Sequence, residues 1–463
     1  MGSRIAWAVL SAVLLTFGGC TAPSPAGDDP PPVAWTQFGH GDDPELIARV
    51  LIGPDGSCPT ITVDGITAPM RERADPRAAI FGRMCEERRP LGATMRLRIA
   101  SGGHVLLDQS ISRDPARIAV LGDTGCRVTY YKQQACTDPR EWPFARIADA
   151  ASARDPGLIV HVGDYYYREA PCLGDSKECA PGLYGDRGET WRAEFFAPAR
   201  NLLPKAPWVF VRGNHEDCER GGFGWTYYFG DGPVACEVVH RRAIVRLTGL
   251  TLVNVDSSNA DNAFPAVRSA VHGAWRALAD DIARDAGSLL GPPASAVLVV
   301  THDPAYSVCA RRCSGEAVAD SGGLRTIADR IRASGWRTVV LAGHIHAFQS
   351  VDVVPATLGG DRVVTQLTVG NSGTALDSFP LHLQPPGAAV VAFDDHRLEA
   401  DRDGVWRPVA RGRTTLRAQV WAKFGFGVLV PGPDASLTIH DPDGERQFAC
   451  DVAREAPPGP RCR

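Results

Sequence analysis

The feature that most constrains this chain is a set of five short runs dominated by Val, Ile and Leu: Ile118 to Leu121, Leu158 to Val162, Trp208 to Val211, Ala296 to Val300 and Thr338 to Leu341. Runs of this length without polar alternation suit strands buried on both faces of a sheet. Between them lie segments with helical spacing, such as Trp275, Leu278 and Ile282, or Leu324, Ile327, Ala328 and Ile331. Strands alternating with helices predict a layered α/β domain. A chain of 463 residues has room for that domain and for additions to it.

Each run leads into residues of metal-ligand type. The first ends in Gly122-Asp123-Thr124-Gly125, the second in Gly163-Asp164-Tyr165-Tyr166-Tyr167 and the third in Gly213-Asn214-His215-Glu216. The fourth ends in Thr301-His302-Asp303 and the fifth in Gly343-His344-Ile345-His346. Ligands of open α/β sheets bind beyond the carboxyl ends of the strands. If the five strands are adjacent and parallel, their tips converge on one site. Two carboxylates, an amide and three imidazoles form a mixed O/N set that suits Zn, Fe, Mn or Co better than Ca. They are too many for one tetrahedral ion and the right number for two ions sharing a carboxylate. Such a pair activates water and clamps phosphate oxygens.

The ordered blocks GD, GD, GNHE, H and GHxH resemble the calcineurin-like metallophosphoesterases, and within them the purple acid phosphatases. The general family has a metal-binding His two residues after the first Asp; here that position is Gly125. The acid-phosphatase branch has Gly there and supplies a Tyr three residues after the second Asp, which is Tyr167. The resemblance covers about Ile118 to Gln349. It implies that Asp123, Asp164, Tyr167 and His346 hold one metal, and Asp164, Asn214, His302 and His344 the other, with Asp164 bridging. It implies two divalent or trivalent ions, Fe paired with Zn, Fe or Mn, and visible colour if Tyr167 binds ferric iron. A water or hydroxide made acidic by the ions would attack phosphorus. His215, with Asn214, would touch the phosphate; His215 would help the leaving group depart, and Glu216 would orient ligands from behind. The branch usually carries further His residues soon after the fourth block, whereas here Arg311 and Arg312 are the basic groups in that stretch.

The expected activity is hydrolysis of phosphomonoesters by a metal-dependent phosphatase. A phosphodiesterase with the same ions is the rival, since specificity lives in loops. A surface lipoprotein that keeps the fold without catalysis is a different class. Individually, Tyr165 and Tyr166 rival Tyr167, Arg168 could meet a phosphate or pair with an acid, and His161 reads as a satisfied core histidine. Trp225, Tyr227, Tyr228 and Phe229 read as packing before they read as a cleft wall. The Asn371-Ser372-Gly373 turn is a neighbour of the site without an assigned role.

The N-terminus is a separate object. Arg4 precedes an apolar run from Ile5 to Phe17, then Gly18, Gly19 and Cys20. The run has the length of a signal-peptide core, too short to span a bilayer comfortably. Its end resembles a bacterial lipobox with Cys20 as the lipidated residue, although Phe17 stands where Leu is usual. Residues 1–20 are therefore expected to be a signal peptide and 21–33 a tether, placing the protein at a cell-envelope membrane through a lipid anchor, or secreted. Beyond Cys20 there are twelve cysteines in near couples: Cys58 and Cys85, Cys126 and Cys136, Cys172 and Cys179, Cys218 and Cys236, Cys309 and Cys313, Cys450 and Cys462. That pattern suits disulfides formed in an oxidising compartment. Residues 34–116 hold short strand-like runs between turns and predict a small β-sandwich-like domain ahead of a metallophosphoesterase domain at 117–463. The net charge of −4 and pI near 6.3 give no basic excess, so no nucleic-acid partner is expected. Nothing in the pattern fixes an oligomeric state.

Overall fold

The computed structural model describes residues 31–463 apart from 174–178, 181, 232–234, 293–295, 314–315, 321, 355–363, 380–388, 401–405 and 454–460, and for what remains of 309–322, 353–354 and 389–416 it describes the backbone alone. The expected signal peptide, Cys20 and nearly all of the tether fall outside the described residues, as do the side chains of Cys309, Cys313, Arg311 and Arg312.

Two large sheets pack face to face with helices on their outer sides. In the first, Ile118–Leu121, Leu158–His161 and Trp208–Phe210 lie side by side in parallel. In the second, Leu250–Asn254, Ala296–Val300, Arg337–Ala342 and Val364–Val369 are parallel in that order. The five apolar runs thus divide three and two between the two layers of the expected sandwich of β-sheets flanked by helices. Burial on both faces explains why nearly every position is apolar, His161 and Thr338 being the exceptions. Val120, Val160 and Val209 face the second sheet and share a core with Leu252, Leu298 and Leu341. Ala119, Leu121, Ile159, Trp208 and Phe210 face outward onto Phe144, Ile147, Phe195 and the aromatic run Tyr227 to Phe229. On the outer face of the second sheet, Val297, Val299 and Val340 meet Trp275, Leu278 and Ile282 of helix Pro265–Leu290 and Ile327 and Ile331 of helix Gly322–Ala333. A fully buried aliphatic side chain of this kind contributes about 1.5–3 kcal/mol.

The N-terminal strands go to two places. Ile66–Pro69, Thr60–Val63, Thr94–Ser101 and His104–Ser112 form a separate antiparallel four-stranded sheet. Thr94–Ser101 alternates exposed and buried, the mark of a sheet with one solvated face. Val33–Phe38, Leu46–Ile52, Arg83–Arg89 and Arg71–Glu72 instead continue the first large sheet, with Gln37 in register with Trp208. The backbone hydrogen bonding is therefore continuous across position 116. At the other side of Ile118–Leu121, Phe426–Val430 and Ser436–His440 add antiparallel strands. The two layers are stitched at one edge, where Gly41 pairs with Ala243 and exchanges hydrogen bonds with Arg242 and Ile244.

Five of the six expected cysteine couples are disulfides: Cys58–Cys85, Cys126–Cys136, Cys172–Cys179, Cys218–Cys236 and Cys450–Cys462.

Candidate metal centre

The tips of all five strands meet at one rim between the layers. Asp123, Asp164 and His344 have φ of 53°, 62° and 70°. Left-handed backbone is uncommon for residues with a Cβ, and it collects where function over-determines the conformation. The preceding glycines make the approach possible. A Cβ on Gly163 would stand 2.5 Å from Nδ1 of His302, and one on Gly213 would collide with the Asp164 carboxylate.

The donors fall into two groups with Asp164 in both. On one side the Tyr167 hydroxyl lies 3.1 Å from Asp123 Oδ1, 2.6 Å from Asp164 Oδ2 and 2.9 Å from His346 Nε2. His346 Nε2 is 3.4 Å from Asp123 Oδ1. On the other side Asn214 Oδ1 lies 2.9 Å from His302 Nε2 and 3.0 Å from His344 Nδ1, and His302 Nε2 is 3.2 Å from Asp164 Oδ2. The second ring nitrogens are anchored: His302 Nδ1 is 2.8 Å from the Val162 carbonyl and His346 Nδ1 is 3.1 Å from the Ala375 carbonyl. A proton on each of those nitrogens leaves Nε2 as a lone-pair donor turned inward, the tautomer a metal ligand needs.

The three consecutive tyrosines separate cleanly. Tyr165 donates to the Val211 carbonyl and Tyr166 to that of Arg168, both within the aromatic core, so Tyr167 alone reaches the rim. Burial, then the charges of Asp164 and Asp123, push its phenol well above the usual range. Burial acts against ionisation of Asp164 too, but His302 and His215 outweigh it and hold that carboxyl well below the usual range.

Glu216 is fully buried behind the rim. Its Oε1 accepts the N–H groups of Tyr165 and Tyr166 at 2.8 and 3.0 Å, and its Oε2 those of Asp164 and Gly213, both at 3.0 Å. Burial and the charge of Asp164 push it up to about 8, while His302 and the N–H groups of Tyr166 and Tyr165 pull toward the anion. His215 donates its backbone N–H to Asp164 Oδ1 at 3.0 Å. Its Nδ1 lies 2.6 Å from Glu169 Oε1, and its ring packs on Tyr167 with centroids 3.9 Å apart.

Several neighbours carried no signal in the sequence. Glu169 is one, having no motif position. Asp303 closes the fourth block but had no role assigned: its Oδ1 is 3.6 Å from His344 Nδ1, and it groups with His302 and His344 closely enough to share a cation. Asp377 accepts the backbone N–H of His346, and Arg220 holds the Asn214 carbonyl. Gln134 clasps the Gly373 carbonyl and the Ala375 N–H, so the turn at Asn371 does border the site; Thr374 N–H bonds the Asp123 carbonyl. Arg168 pairs with buried Glu194 at 2.5 Å, and Glu194 also accepts the N–H groups of Cys126 and Tyr167. That is the acid-pairing alternative for Arg168. His161 is satisfied in the core by Thr124 and the Gly163 N–H. Trp225, Tyr227, Tyr228 and Phe229 are core, not cleft wall.

The profile of the calcineurin-like phosphoesterase family matches residues 116–348, half of the chain, and the chain belongs to that family. Among solved structures it is similar to purple acid phosphatase PPD1 isolated from yellow lupin (Lupinus luteus) seeds, at 12% identity and TM-score 0.52 over 90% of this chain and 73% of that one. It is also similar to PhoD, at 10% identity and TM-score 0.51 over 91% and 90%. At such identities the likeness is one of fold. No curated protein matches the chain. Membership makes it a metal-dependent phosphoester hydrolase.

Proposed function

We propose that this protein is a dinuclear phosphomonoesterase in which Asp123, Asp164, Tyr167 and His346 hold one ion and Asp164, Asn214, His302 and His344 the other. The observation that carries this is the division of seven side chains into two donor groups meeting at Asp164 Oδ2. The phenol and the mixed O/N set favour iron on the Tyr167 side and Zn, Fe or Mn on the other; metal analysis with a visible spectrum reads this directly. Bound there, the ions would supply Lewis acidity and an acidified water.

The chain's own residues do the rest. Asn214 and His215, at the tip of one strand, face the phosphate. Glu169 grips His215 through Nδ1 and turns Nε2 toward the rim, 4.0 Å from Asp164 Oδ2, where its proton can pass to the departing oxygen. Glu216 fixes the backbone that presents Asp164. Asn214→Ala is expected to abolish release of phosphate from an aryl monoester while the circular dichroism spectrum stays that of the wild type. Normal turnover in that variant would sink the assignment, and a preference for the matching diester would transfer it to the phosphodiesterase reading.

We also propose export with lipid attachment at Cys20. Five disulfides support an oxidising location. Cys20→Ala should move the protein from the membrane fraction to the soluble one; unchanged fractionation refutes attachment there.

A further inference from the structure

A second group of donors lies where the edges of the two sheets are stitched. His40 follows strand Val33–Phe38 of the first sheet, and His240 precedes strand Ala243–Leu247 of the second. Asp231 comes from the segment after helix Gly222–Tyr228. Asp231 Oδ2 accepts the backbone N–H of His40 at 2.7 Å, and its Oδ1 lies 3.0 Å from His40 Nδ1. The His240 ring stands edge-on to that of His40, with centroids 4.1 Å apart at 89°. One ligand atom from each of the three lies within 4.8 Å of the others. The side chains of His40 and His240 are only 5% and 4% exposed, and Asp231 is 11% exposed.

A plain hydrogen-bonded pair accounts for His40 and Asp231 but not for His240. Its Nε2 is buried and has no hydrogen-bond partner among the described residues. An unpaired buried polar atom of this kind forfeits its hydration without return. A cavity of about 490 Å³ opens on the side of His240 away from that pair, lined by His240, Arg241, Arg242, Asp256 and Trp275 but by neither His40 nor Asp231. Asp256 Oδ2 accepts the His240 backbone N–H at 2.6 Å and is 3.5 Å from Arg212 Nη1, so Asp256 offsets that guanidinium. Two imidazoles and a carboxylate suit zinc or a similar divalent ion. Zn–N and Zn–O bonds of about 2.0–2.2 Å put adjacent tetrahedral ligands about 3.4 Å apart, a few tenths beyond the present His40–Asp231 separation.

We propose that His40, Asp231 and His240 form a zinc-type cation site, separate from the rim, that clamps the edge of the first layer to the edge of the second. It serves stability and leaves the chemistry to the rim.

The test is metal content of the full chain after saturation with Zn²⁺ and exhaustive dialysis, beside the thermal midpoint with and without added Zn²⁺. The wild type should hold one more ion per chain than His240→Gln, whose turnover should equal the wild type's. The zinc-dependent rise in midpoint should shrink in the variant. Equal metal counts in the two proteins, with equal zinc responses, overturn the proposal. If His240→Gln does not fold, Asp164→Asn decides: one Zn²⁺ surviving with the rim pair disrupted supports the clamp, and none overturns it. Absent turnover in the wild type would count against the phosphoesterase site and leave this metal count unaffected.

Discussion

Replacing Glu216 by Gln tests the proposal that a buried carboxylate behind the rim holds Asp164 in its left-handed conformation. The carboxylate accepts four backbone N–H groups, two on each oxygen. An amide has one oxygen, so two of those N–H groups would face an NH₂ that cannot accept. Above about pH 8, where Glu216 is ionised, hydrogen bonds to the charged group are worth about 1.5–3 kcal/mol each, so loss of two costs roughly 3–6 kcal/mol. Removing an anion that burial and Asp164 disfavour returns part of this. The net expectation is a destabilisation of about 2–4 kcal/mol. Asp164 would lose its backbone anchor, and displacement of a positioning group by about 1 Å costs on the order of 100-fold in rate. Urea unfolding followed by tryptophan fluorescence gives the first quantity, and kcat on an aryl phosphomonoester gives the second. A variant within about 0.5 kcal/mol of the wild type and with undiminished kcat would show that the four-donor cradle does not position Asp164.

Two further substitutions probe other links. Glu169→Gln should lower kcat about 10- to 100-fold on an alkyl phosphate, whose leaving group needs a proton, and by less than about twofold on a nitrophenyl phosphate; equal losses on both would place Glu169 outside leaving-group chemistry. Asp75 forms a buried pair with Arg77 at 2.8 Å, and although burial pushes its carboxyl up, the Arg77 hydrogen bonds hold it below the ordinary value. A depressed folded-state carboxyl stabilises above its unfolded pKa of about 3.9 and stops doing so as pH falls through the folded value. Asp75→Asn should therefore be less stable than the wild type near neutrality, with the gap closing below about pH 4; a gap that persists at low pH contradicts the linkage.

Much of the site was legible because its chemistry is written in short blocks at strand ends, each fixed by local geometry. Asp123, Asp164, Asn214, His302, His344 and His346 meet as the ordered motifs implied. Glu169 and Asp377 were not legible, since nothing local marks them and only tertiary placement brings them to the rim, and Asp303 stood in the fourth block without a sign of its contact with His344. The strands show the same division. Ile118–Leu121 and Ala296–Val300 announce themselves as continuous apolar runs. Val364–Val369, in the same kind of central position, is VTQLTV, and its polar residues are buried: Gln366 accepts the Tyr306 N–H and donates to the Tyr306 carbonyl. A strand that satisfies buried polar groups through a distant backbone looks like a surface strand in sequence. The pairing of Val33–Phe38 with Trp208–Phe210 was equally hidden, because register between remote segments leaves no local trace.

The placement of Phe426–Val430 beside Ile118–Leu121 has a consequence for biogenesis. Val120 finds its neighbour Gly427 only after nearly all of the intervening polypeptide has been made. Until then one side of a ligand-bearing strand is an open edge, and such edges recruit other chains. A sheet wired this way is completed late, and pairing between segments so far apart in sequence slows folding.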